Sequence, residues 1–464
     1  MNRPRLVVAA AAGAVFLFLG GLGAGALIAA AQPANPAPAV SGSAPAHGAA
    51  ASASVAPPSC ADGAAPMTHA FASGTVWSMC WKVDPQMGLV ITNAAYTAPG
   101  KPAVPVLKEL ELSQLEVPYD SGLQMTRDIT DHGFGGRNMQ TLRTNECGGT
   151  RVKASIPNFG NGALGDSETR EVLCSEEADT GVGLRSTYNG NPISERLHDF
   201  RLSTISEVGW YEYTTLFSFG EDGSVTPQLG AMGDLSPTDY TDNLAWGSPI
   251  GKGQSGMAVS HTHNAVWRVH WDLGGPQKVS EYNSDFSGQR GSASAILNGA
   301  LAPIANETMR RVQDRRWWSV AGPQQNADGH QMSYQLQLEA TDGYSPTGSG
   351  DMAGMHGAGD GDAAFGYDVA FSQFKDCEKF ATENLSTGCP TADVPQFVAD
   401  KEALSDVVSW VAVSFHHVPR DEDQSPMFTH WQGFTMAPRD VFAQNPLTPP
   451  NRANLNGGPN QPAG

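Results

Sequence analysis

The chain has 464 residues and a formal net charge of −19, and only 16% of its residues are charged. The acidic excess argues against nucleic acid as a partner and favours attraction of small cations. The length allows about three domains of roughly 150 residues or one large β-sandwich. The 52 glycines and 32 prolines favour a loop-rich, strand-rich protein over a helical one.

The N-terminus has the features of an export signal. Arg3 and Arg5 precede an uninterrupted apolar run from Leu6 to Ala31. The run is longer than the ~7–15 apolar residues of a typical cleaved signal and is long enough to span a bilayer, but its small residues also allow cleavage. We therefore expect 1–31 to be a signal peptide or a membrane anchor. The protein would be exported, extracellular or at the cell surface, and would contact a membrane only through this segment.

Composition divides the rest of the chain into three parts. Residues 32–58 are rich in Ala, Pro and Ser, which predicts a linker. Residues 59–447 have globular composition, and 448–464 predict a disordered tail. Within the globular part, the glycine- and aspartate-rich stretch Gly348–Asp362 predicts a long exposed loop.

The cysteine count agrees with export. An even number of cysteines outside the cytoplasm indicates disulfides, and six allow 15 connectivities. The simplest is that each cysteine pairs with the next one along the chain. The alternative, free or metal-bound thiols, has no CxxC spacing to support it. The six cysteines are Cys60, Cys80, Cys147, Cys174, Cys377 and Cys389.

Strand signals dominate the globular part. The aromatic and β-branched run Trp210–Phe219, the turn Gly220–Gly223 and the returning run Ser224–Leu229 predict a hairpin. Ala258–Leu273 and Val407–Phe415 are two further strand-like runs. Only one stretch, 107–123, is expected to be partly helical or irregular. The predicted fold class is therefore mainly β, as one large antiparallel β-sandwich.

The clearest chemical signal is His261-Thr-His263. Alternate residues of a strand share a face, so both imidazoles point the same way and form half of a tetragonal copper site. Tyr211 upstream and the pair His416-His417 downstream complete a set that can be tested as one site. The alternative is chance, because the chain has 12 histidines.

From Cys60 to about Asn445 the chain resembles the catalytic domain of the copper amine oxidases, which are topaquinone-dependent primary amine oxidases. Several blocks match in order and in approximate spacing. They are Gly88-Leu-Val-Ile, Pro105-Val-Leu-Lys-Glu-Leu, Val117-Pro-Tyr119-Asp, Asp131-His-Gly133, Cys147 with Cys174, Val208-Gly-Trp-Tyr211-Glu-Tyr213, His261-Thr-His263, Trp410, His417 and Pro419-Arg420.

The resemblance implies a cofactor and a metal. Tyr211 falls on the tyrosine that is oxidised to topaquinone, and copper(II) would be held by His261, His263 and His417. The position of the third ligand rests on its spacing from Pro419-Arg420, and the neighbouring His416 is expected to be an exposed residue.

Two further site residues follow from the same resemblance. The catalytic base falls on Asp131, and the tyrosine that hydrogen-bonds the quinone falls on Tyr119. A carboxylate that removes a proton from carbon works best when partial burial raises its pKa. Without the resemblance, Asp131 before His-Gly would be interpreted as a turn residue, and Tyr119 as a packing residue.

The chain departs from the family at supporting positions. The family has asparagine immediately before the quinone tyrosine, where this chain has Trp210. The family's peripheral calcium-type site uses Asp-x-Asp and a later aspartate. Here His270 replaces the first of them, which leaves Asp272 and Asp406 as a second metal site that is weakened or lost, because hard cations prefer oxygen ligands.

The resemblance implies oxidative deamination of small primary amines by O₂, giving aldehyde, ammonia and hydrogen peroxide. It also implies a homodimer. The alternative is a non-catalytic copper-binding or cell-envelope interaction protein on the same fold, which Trp210 favours. A third hypothesis, a sugar-binding or glycoside-cleaving sandwich, would use acidic pairs such as Glu176-Glu177.

Overall fold

The structure is a computed structural model that describes residues 57–448, apart from 62, 161–167, 188–191, 254–255, 314, 339–340, 345–365, 390 and 392. The expectations for 1–31, for nearly all of the linker and the tail, and for the loop Gly348–Asp362 lie outside the described residues. Among the residues described, no helix is long and apolar enough to cross a membrane.

The described chain is built almost entirely of strands. In chain order these are β1 (Ala65–Ala70), β2 (Val76–Asp84), β3 (Gly88–Thr97), β4 (Val104–Pro118), β5 (Met125–Arg127), β6 (Thr150–Ile156), β7 (Glu168–Ser186), β8 (Ile193–Val208), β9 (Tyr211–Gly220), β10 (Val225–Gly233), β11 (Tyr240–Thr241), β12 (Gly247–Pro249), β13 (Met257–Val259), β14 (His261–Trp271), β15 (Lys278–Arg290), β16 (Ala295–Ile304), β17 (Thr308–Arg310), β18 (Trp317–Gln325), β19 (Gln331–Leu338), β20 (Val369–Gln373), β21 (Val407–His417) and β22 (Met427–Arg439).

Short helical segments interrupt the strands. They are a π-helical turn at Asp128–His132, 3-10 turns at Thr144–Glu146 and Asp421–Asp423, and the one-turn helix α1 at Val394–Phe397. The last is capped by Asp393, whose side chain accepts the backbone N–H of Gln396 in the usual N-cap manner.

The strands form two large antiparallel sheets and one small one. The first sheet has the order β1-β2-β3-β4-β14-β21-β20-β17, with β5 beside β4. The second has the order β16-β15-β18-β19-β22-β10-β9-β8-β7-β6, and β11-β13-β12 form the third. The prediction of a mainly antiparallel β-sandwich is confirmed.

Large aromatic side chains fill the space between the two large sheets. Trp267 of β14 meets Phe217 of β9 edge to face at 5.6 Å between ring centres, and Trp77 lies 5.2 Å from Phe219. Burying one such side chain stabilises the fold by about 1.5–3 kcal/mol. A second cluster, which includes Trp410 and Phe397 of α1, covers the outer face of the first sheet. Strands β14 and β21 are therefore buried on both faces.

The predicted hairpin forms, but its first strand begins one residue later than expected. Val208 pairs with Tyr211, so Gly209 and Trp210 form a two-residue turn between β8 and β9. Gly209 has φ +63°, a conformation that glycine adopts readily and that two-residue hairpin turns require.

One secondary-structure prediction was wrong for most of its length. The stretch 107–123, expected to be partly helical or irregular, lies mostly in the strand β4, between β3 and β14. Its leucines, glutamates and lysine suit a helix, but pairing on both sides and burial on both faces decide its conformation.

The predicted disulfide pairing is confirmed. Each cysteine bonds to the next one along the chain, as Cys60–Cys80, Cys147–Cys174 and Cys377–Cys389.

Candidate active site

Two neighbouring strands bring the three predicted histidines together. Strands β14 and β21 run antiparallel with His261 directly opposite His417, and His263 lies two residues further along β14 on the same face. All three side chains are at most 2% exposed. Their ligand nitrogens lie within 4.8 Å of one another.

Tyr211 reaches this cluster from the opposite sheet. It is the first residue of β9, and its hydroxyl oxygen lies 2.8 Å from Nε2 of His261 and 3.1 Å from Nδ1 of His417. Burial raises the pKa of the Tyr211 hydroxyl well above its ordinary value. A buried phenol thus lies in hydrogen-bond contact with two imidazoles.

Hydrogen bonds on the far side of two rings fix which nitrogen is free. Nδ1 of His261 donates to the carbonyl oxygen of Val259 at 3.2 Å, because a carbonyl can only accept. Nε2 of His417 donates to the carboxylate of Asp423 at 3.0 Å. Burial opposes ionisation of Asp423, but the hydrogen bonds from His417 and from the Arg420 N–H hold its pKa below the ordinary value. Nε2 of His261 and Nδ1 of His417 therefore present lone pairs toward Tyr211.

His263 is the best test of whether a metal fits. Neither of its ring nitrogens has a hydrogen-bond partner among the described residues, although the ring is 1% exposed. A buried polar group without a partner costs about 1–3 kcal/mol, so an orphaned imidazole calls for a ligand. Burial lowers the pKa of His261 to about 3 and the pKa of His263 well below its ordinary value. The cluster is therefore neutral, as metal-binding imidazole must be, and three such nitrogens suit copper(II).

A cavity of about 280 Å³ opens onto Tyr211. Its lining contains two carboxyl groups, an imidazole, three tyrosine or tryptophan rings in addition to Tyr211, and small polar side chains. The aromatic and titratable residues of this lining are Tyr119, Asp128, His132, Trp210, Tyr211, Tyr213 and Asp239.

The structure does not bring Asp131 to this cavity. Asp131 is exposed, and one of its carboxylate oxygens accepts the backbone N–H of Arg127 at 3.3 Å. The residue that faces the cavity is Asp128, which is 2% exposed. The reason is the π-helical turn, closed by the Gly133 N–H on the Asp128 carbonyl at 2.8 Å. Such turns are rare and occur frequently at functional sites.

Asp128 has the burial and the raised pKa that suit a carboxylate acting as a base. Burial raises its pKa to about 6, although hydrogen bonds from Thr126 and Tyr213 oppose the shift. One of its oxygens, Oδ1, is buried and has no partner among the described residues. Sequence reasoning missed Asp128, because a second aspartate three residues later stands before His-Gly and no pattern separates the two.

Tyr119 lies beside the histidine cluster and lines the cavity. Its ring stacks on that of His261 at 4.7 Å, and the two residues form an isolated β-bridge. Burial raises the pKa of the Tyr119 hydroxyl, and its hydrogen bond with Asp239 adds to the shift. Asp239 was not anticipated from the sequence.

Trp210 borders the cavity from the hairpin turn. Its side chain is 52% exposed, and its carbonyl accepts the backbone N–H of Asp234 at 2.9 Å. The tryptophan therefore extends into solvent at the cavity's edge. His416 behaves as expected, because its ring faces away from the cluster and pairs with Asp120 at 3.0 Å.

The expected second metal site is not assembled. Nζ of Lys108 and Nε2 of His270 lie 2.7 and 2.8 Å from the same oxygen of Asp406. Asp272 instead accepts the backbone N–H of Gly274, and within the described part of the chain it joins no cluster of three ligand groups. The Lys108 ammonium thus already pairs with the carboxylate that a calcium-type ion would need as a ligand.

The acidic pair Glu176-Glu177 forms no site of its own. The two residues follow each other on β7, so their side chains point to opposite faces. Glu177 accepts from His69 at 2.8 Å and Glu176 from the Gly148 N–H.

Comparison with known proteins agrees with this geometry. Residues 73–454 match the model of the copper amine oxidase enzyme domain. A diamine oxidase of Mus musculus is 24% identical over 302 residues, which cover 59% of this chain and 39% of the relative. Primary amine oxidase 2 of Arabidopsis thaliana is 25% identical over 394 residues, covering 80% of this chain and 57% of the relative. The chain thus spans between 39% and 57% of the length of these relatives.

Solved structures share the fold. A benzylamine oxidase from Hansenula polymorpha superimposes with a TM-score of 0.66 at 20% identity, over 82% of this chain and 62% of that chain. An amine oxidase from Aspergillus nidulans gives 0.66 at 18% identity, over 90% of this chain and 56% of that chain. At these identities the likeness concerns the fold alone.

Proposed function

Because this chain belongs to the copper amine oxidase family, we propose that it oxidises small primary amines. The reaction consumes O₂ and water and releases an aldehyde, ammonia and hydrogen peroxide. The proposal includes Tyr211 as the precursor of topaquinone and copper(II) on His261, His263 and His417.

The observation that carries the proposal is the contact between Tyr211 and the histidine cluster. Its hydroxyl oxygen lies 2.8 Å from His261 Nε2 and 3.1 Å from His417 Nδ1. A tyrosine that is modified by a metal-bound oxidant must lie beside the metal. A tyrosine serving only as a packing residue would not need two imidazole lone pairs directed at its oxygen.

Copper on the three imidazoles and a quinone formed from Tyr211 would supply the electrophile and the electron sink that amine oxidation requires. The chain's own groups do the rest. Asp128 takes the proton from the carbon that bears the amine, with its unpartnered Oδ1 as the acceptor. Tyr119 orients the modified ring by donating to it the O–H that Asp239 accepts here.

The proposal is tested on the copper-free chain. Cu(II) is added in air, and the visible spectrum is recorded for the parent and for Tyr211→Phe. We expect a quinone band in the parent alone, and a shift of that band on addition of phenylhydrazine. Copper uptake by both proteins with no band in the parent would contradict the proposal.

The second candidate is a non-catalytic copper-binding or cell-envelope interaction protein. Trp210 favours it, because a bulky, 52% exposed indole stands directly before Tyr211 at the cavity's edge. This candidate predicts that the parent binds copper and that its spectrum matches that of Tyr211→Phe. The same experiment therefore separates the two functions.

Export and dimerisation complete the proposal. Three disulfides suit an oxidising compartment outside the cytoplasm, which supports an extracellular or cell-surface location. The copper amine oxidase resemblance implies a homodimer, which the exposed hairpin of β15 and β16 makes testable by substitution. The mass of the protein recovered from its natural host tests whether residues 1–31 are removed as a signal peptide or kept as a membrane anchor.

A further inference from the structure

A buried carboxylate lies directly behind one of the three histidines. Asp423 belongs to the 3-10 turn that follows β21, and its side chain is 1% exposed. Its Oδ2 accepts Nε2 of His417 at 3.0 Å and the backbone N–H of Arg420 at 2.9 Å. The second bond ties the carboxylate to the chain, so its position does not depend on the histidine.

The bond to Asp423 determines what the other side of the His417 ring can do. A neutral imidazole carries one N–H and one lone pair. With the hydrogen on Nε2, the lone pair is on Nδ1, which lies 3.1 Å from the Tyr211 oxygen and 3.4 Å from Nε2 of His261. The opposite tautomer would place an N–H in the middle of the cluster.

We propose that Asp423 is a positioning residue for the copper centre: its carboxylate holds His417 in the tautomer and orientation that direct Nδ1 at the metal. The inference rests on the proposed function, because it presumes copper on the three histidines. Carboxylates in this position typically change metal affinity by about 10–100-fold when they are removed.

The remaining groups around Asp423 hold the carboxylate and the ring in place. Nε2 of His430 lies 3.4 Å from Oδ1 and Nε of Arg420 lies 3.6 Å from the same oxygen. The His430 ring packs on His417 at 4.8 Å, and Phe415 stacks on both rings at 5.0 and 5.9 Å. Packing restricts ring rotation, but only the hydrogen bond selects the nitrogen that carries the proton.

The test uses the full chain, stripped of metal. Copper affinity is measured by competition with a chelator of known affinity, and the bound Cu(II) is examined by electron paramagnetic resonance. Asp423→Ala removes the acceptor. We expect its copper affinity to fall by about 10–100-fold and its copper hyperfine coupling to change. The matched control is Glu422→Gln, which removes a neighbouring exposed carboxylate and should leave both readouts at parent values.

Asp423→Asn separates position from charge. Its amide oxygen can still accept from His417 and from the Arg420 N–H, so we expect a parent-like spectrum and a loss of affinity below about tenfold. Circular dichroism of the metal-free proteins checks folding. If Asp423→Ala does not fold, Asp423→Leu decides the matter, because it fills the space of the carboxylate and has no acceptor for His417: a loss of copper affinity supports the role, and parent affinity overturns it.

Two results overturn the proposal in different ways. A folded Asp423→Ala variant with parent affinity and a parent spectrum shows that the carboxylate does not position His417, and leaves the proposed function intact. A parent chain that takes up no copper overturns the proposed function and, with it, the role of Asp423.

Discussion

Asp128 and Asp131 lie on the same helical turn, but only Asp128 lines the cavity beside Tyr211. If Asp128 accepts the substrate proton, Asp128→Asn removes the base and keeps the shape of the side chain. We expect kcat/KM for a primary amine to fall by about 10²–10⁴-fold, measured as hydrogen peroxide production. The quinone band should still form, because the histidine cluster is unchanged.

Asp131→Asn is the matched control for that prediction. Asp131 is exposed and, among the described residues, its carboxylate bonds to the backbone N–H of Arg127 alone, so we expect activity within about twofold of the parent, as for most exposed substitutions. A large loss in Asp131→Asn with little change in Asp128→Asn would reverse the assignment of the two carboxylates.

The pH dependence of activity follows from the same carboxyl group. Burial raises the pKa of Asp128 to about 6; the charge of His132 opposes this shift and that of Asp131 adds to it. A base acts only when ionised, so kcat/KM should be constant at higher pH and fall as the pH drops through about 6. The pH profile is measured on the parent with copper loaded. A kcat/KM that stays constant down to about pH 4 would contradict the role of Asp128 as a base with a raised pKa. Only a carboxyl group near the ordinary aspartate pKa of about 3.9 would show no acidic limb in this range.

At the residue scale, the sequence could predict groups whose role follows from strand periodicity. His261 and His263 share a face because they are two residues apart on β14. It could not predict Asp128, because a π-helical turn rotates one of two nearby aspartates inward and has no sequence signature. Asp423 was likewise hidden, since only the fold brings its turn back onto His417.

At the element scale, β4 shows what local composition misses. The stretch Glu109-Leu-Glu111-Leu112 alternates with a period of two, which is a strand pattern. The leucines, glutamates and lysine of residues 107–123 are good helix formers, which is why that stretch was predicted to be partly helical or irregular. The glutamates are tolerated inside the sheet because Arg268 of β14 lies 2.8 Å from both, and burial raises the pKa of Glu111 to about 8.

Side chains of β4 and β14 also contact Asp406, the residue just before β21. Lys108 and His270 both contact one oxygen of Asp406. Because an ammonium already satisfies that carboxylate, we expect no calcium binding there. Calcium added to the metal-free protein should leave Tm unchanged. A ligand present at 100 times its Kd would stabilise the protein by about 2.7 kcal/mol. A clear rise in Tm on addition of calcium would therefore contradict the prediction that no calcium binds.

Lys108→Met provides the matched comparison. It removes the cation and keeps the length of the side chain. The pair is about one-third exposed, with 37% for Lys108 and 34% for Asp406, so its loss should cost only about 0–1 kcal/mol. Calcium-dependent stabilisation that appears in this variant alone would show that the lysine is what excludes the ion.

At the scale of the whole molecule, the centre exists only because two sheets pack together. Tyr211 belongs to β9 of one sheet and the histidines to β14 and β21 of the other. The aromatic pair Phe217–Trp267 joins β9 and β14 further along the same strands. The sandwich could be expected from strand patterns, but the distance from Tyr211 to the imidazoles depends on how the sheets pack, which no local pattern encodes.

The projecting end of one hairpin gives a test of the homodimer. Beyond Tyr282, β15 pairs with β16 alone among the described strands, and this hairpin exposes Phe286 at 60% and, at its base opposite Tyr282, Leu301 at 52%. An isolated two-stranded hairpin is marginally stable in water, and exposed apolar patches typically mark interaction sites. We therefore expect these side chains to be buried against a second copy of the chain.

Sedimentation velocity at micromolar concentration measures this directly. The parent should sediment as a dimer, and the double variant Phe286→Ser with Leu301→Ser should be largely monomeric. Leu385→Ser is the control, because Leu385 is 51% exposed elsewhere on the surface and its loss should leave the dimer intact. A monomeric parent would contradict the homodimer itself, whereas a dimeric double variant would contradict only the role of the hairpin, since the contact would then have to lie on another face of the sandwich.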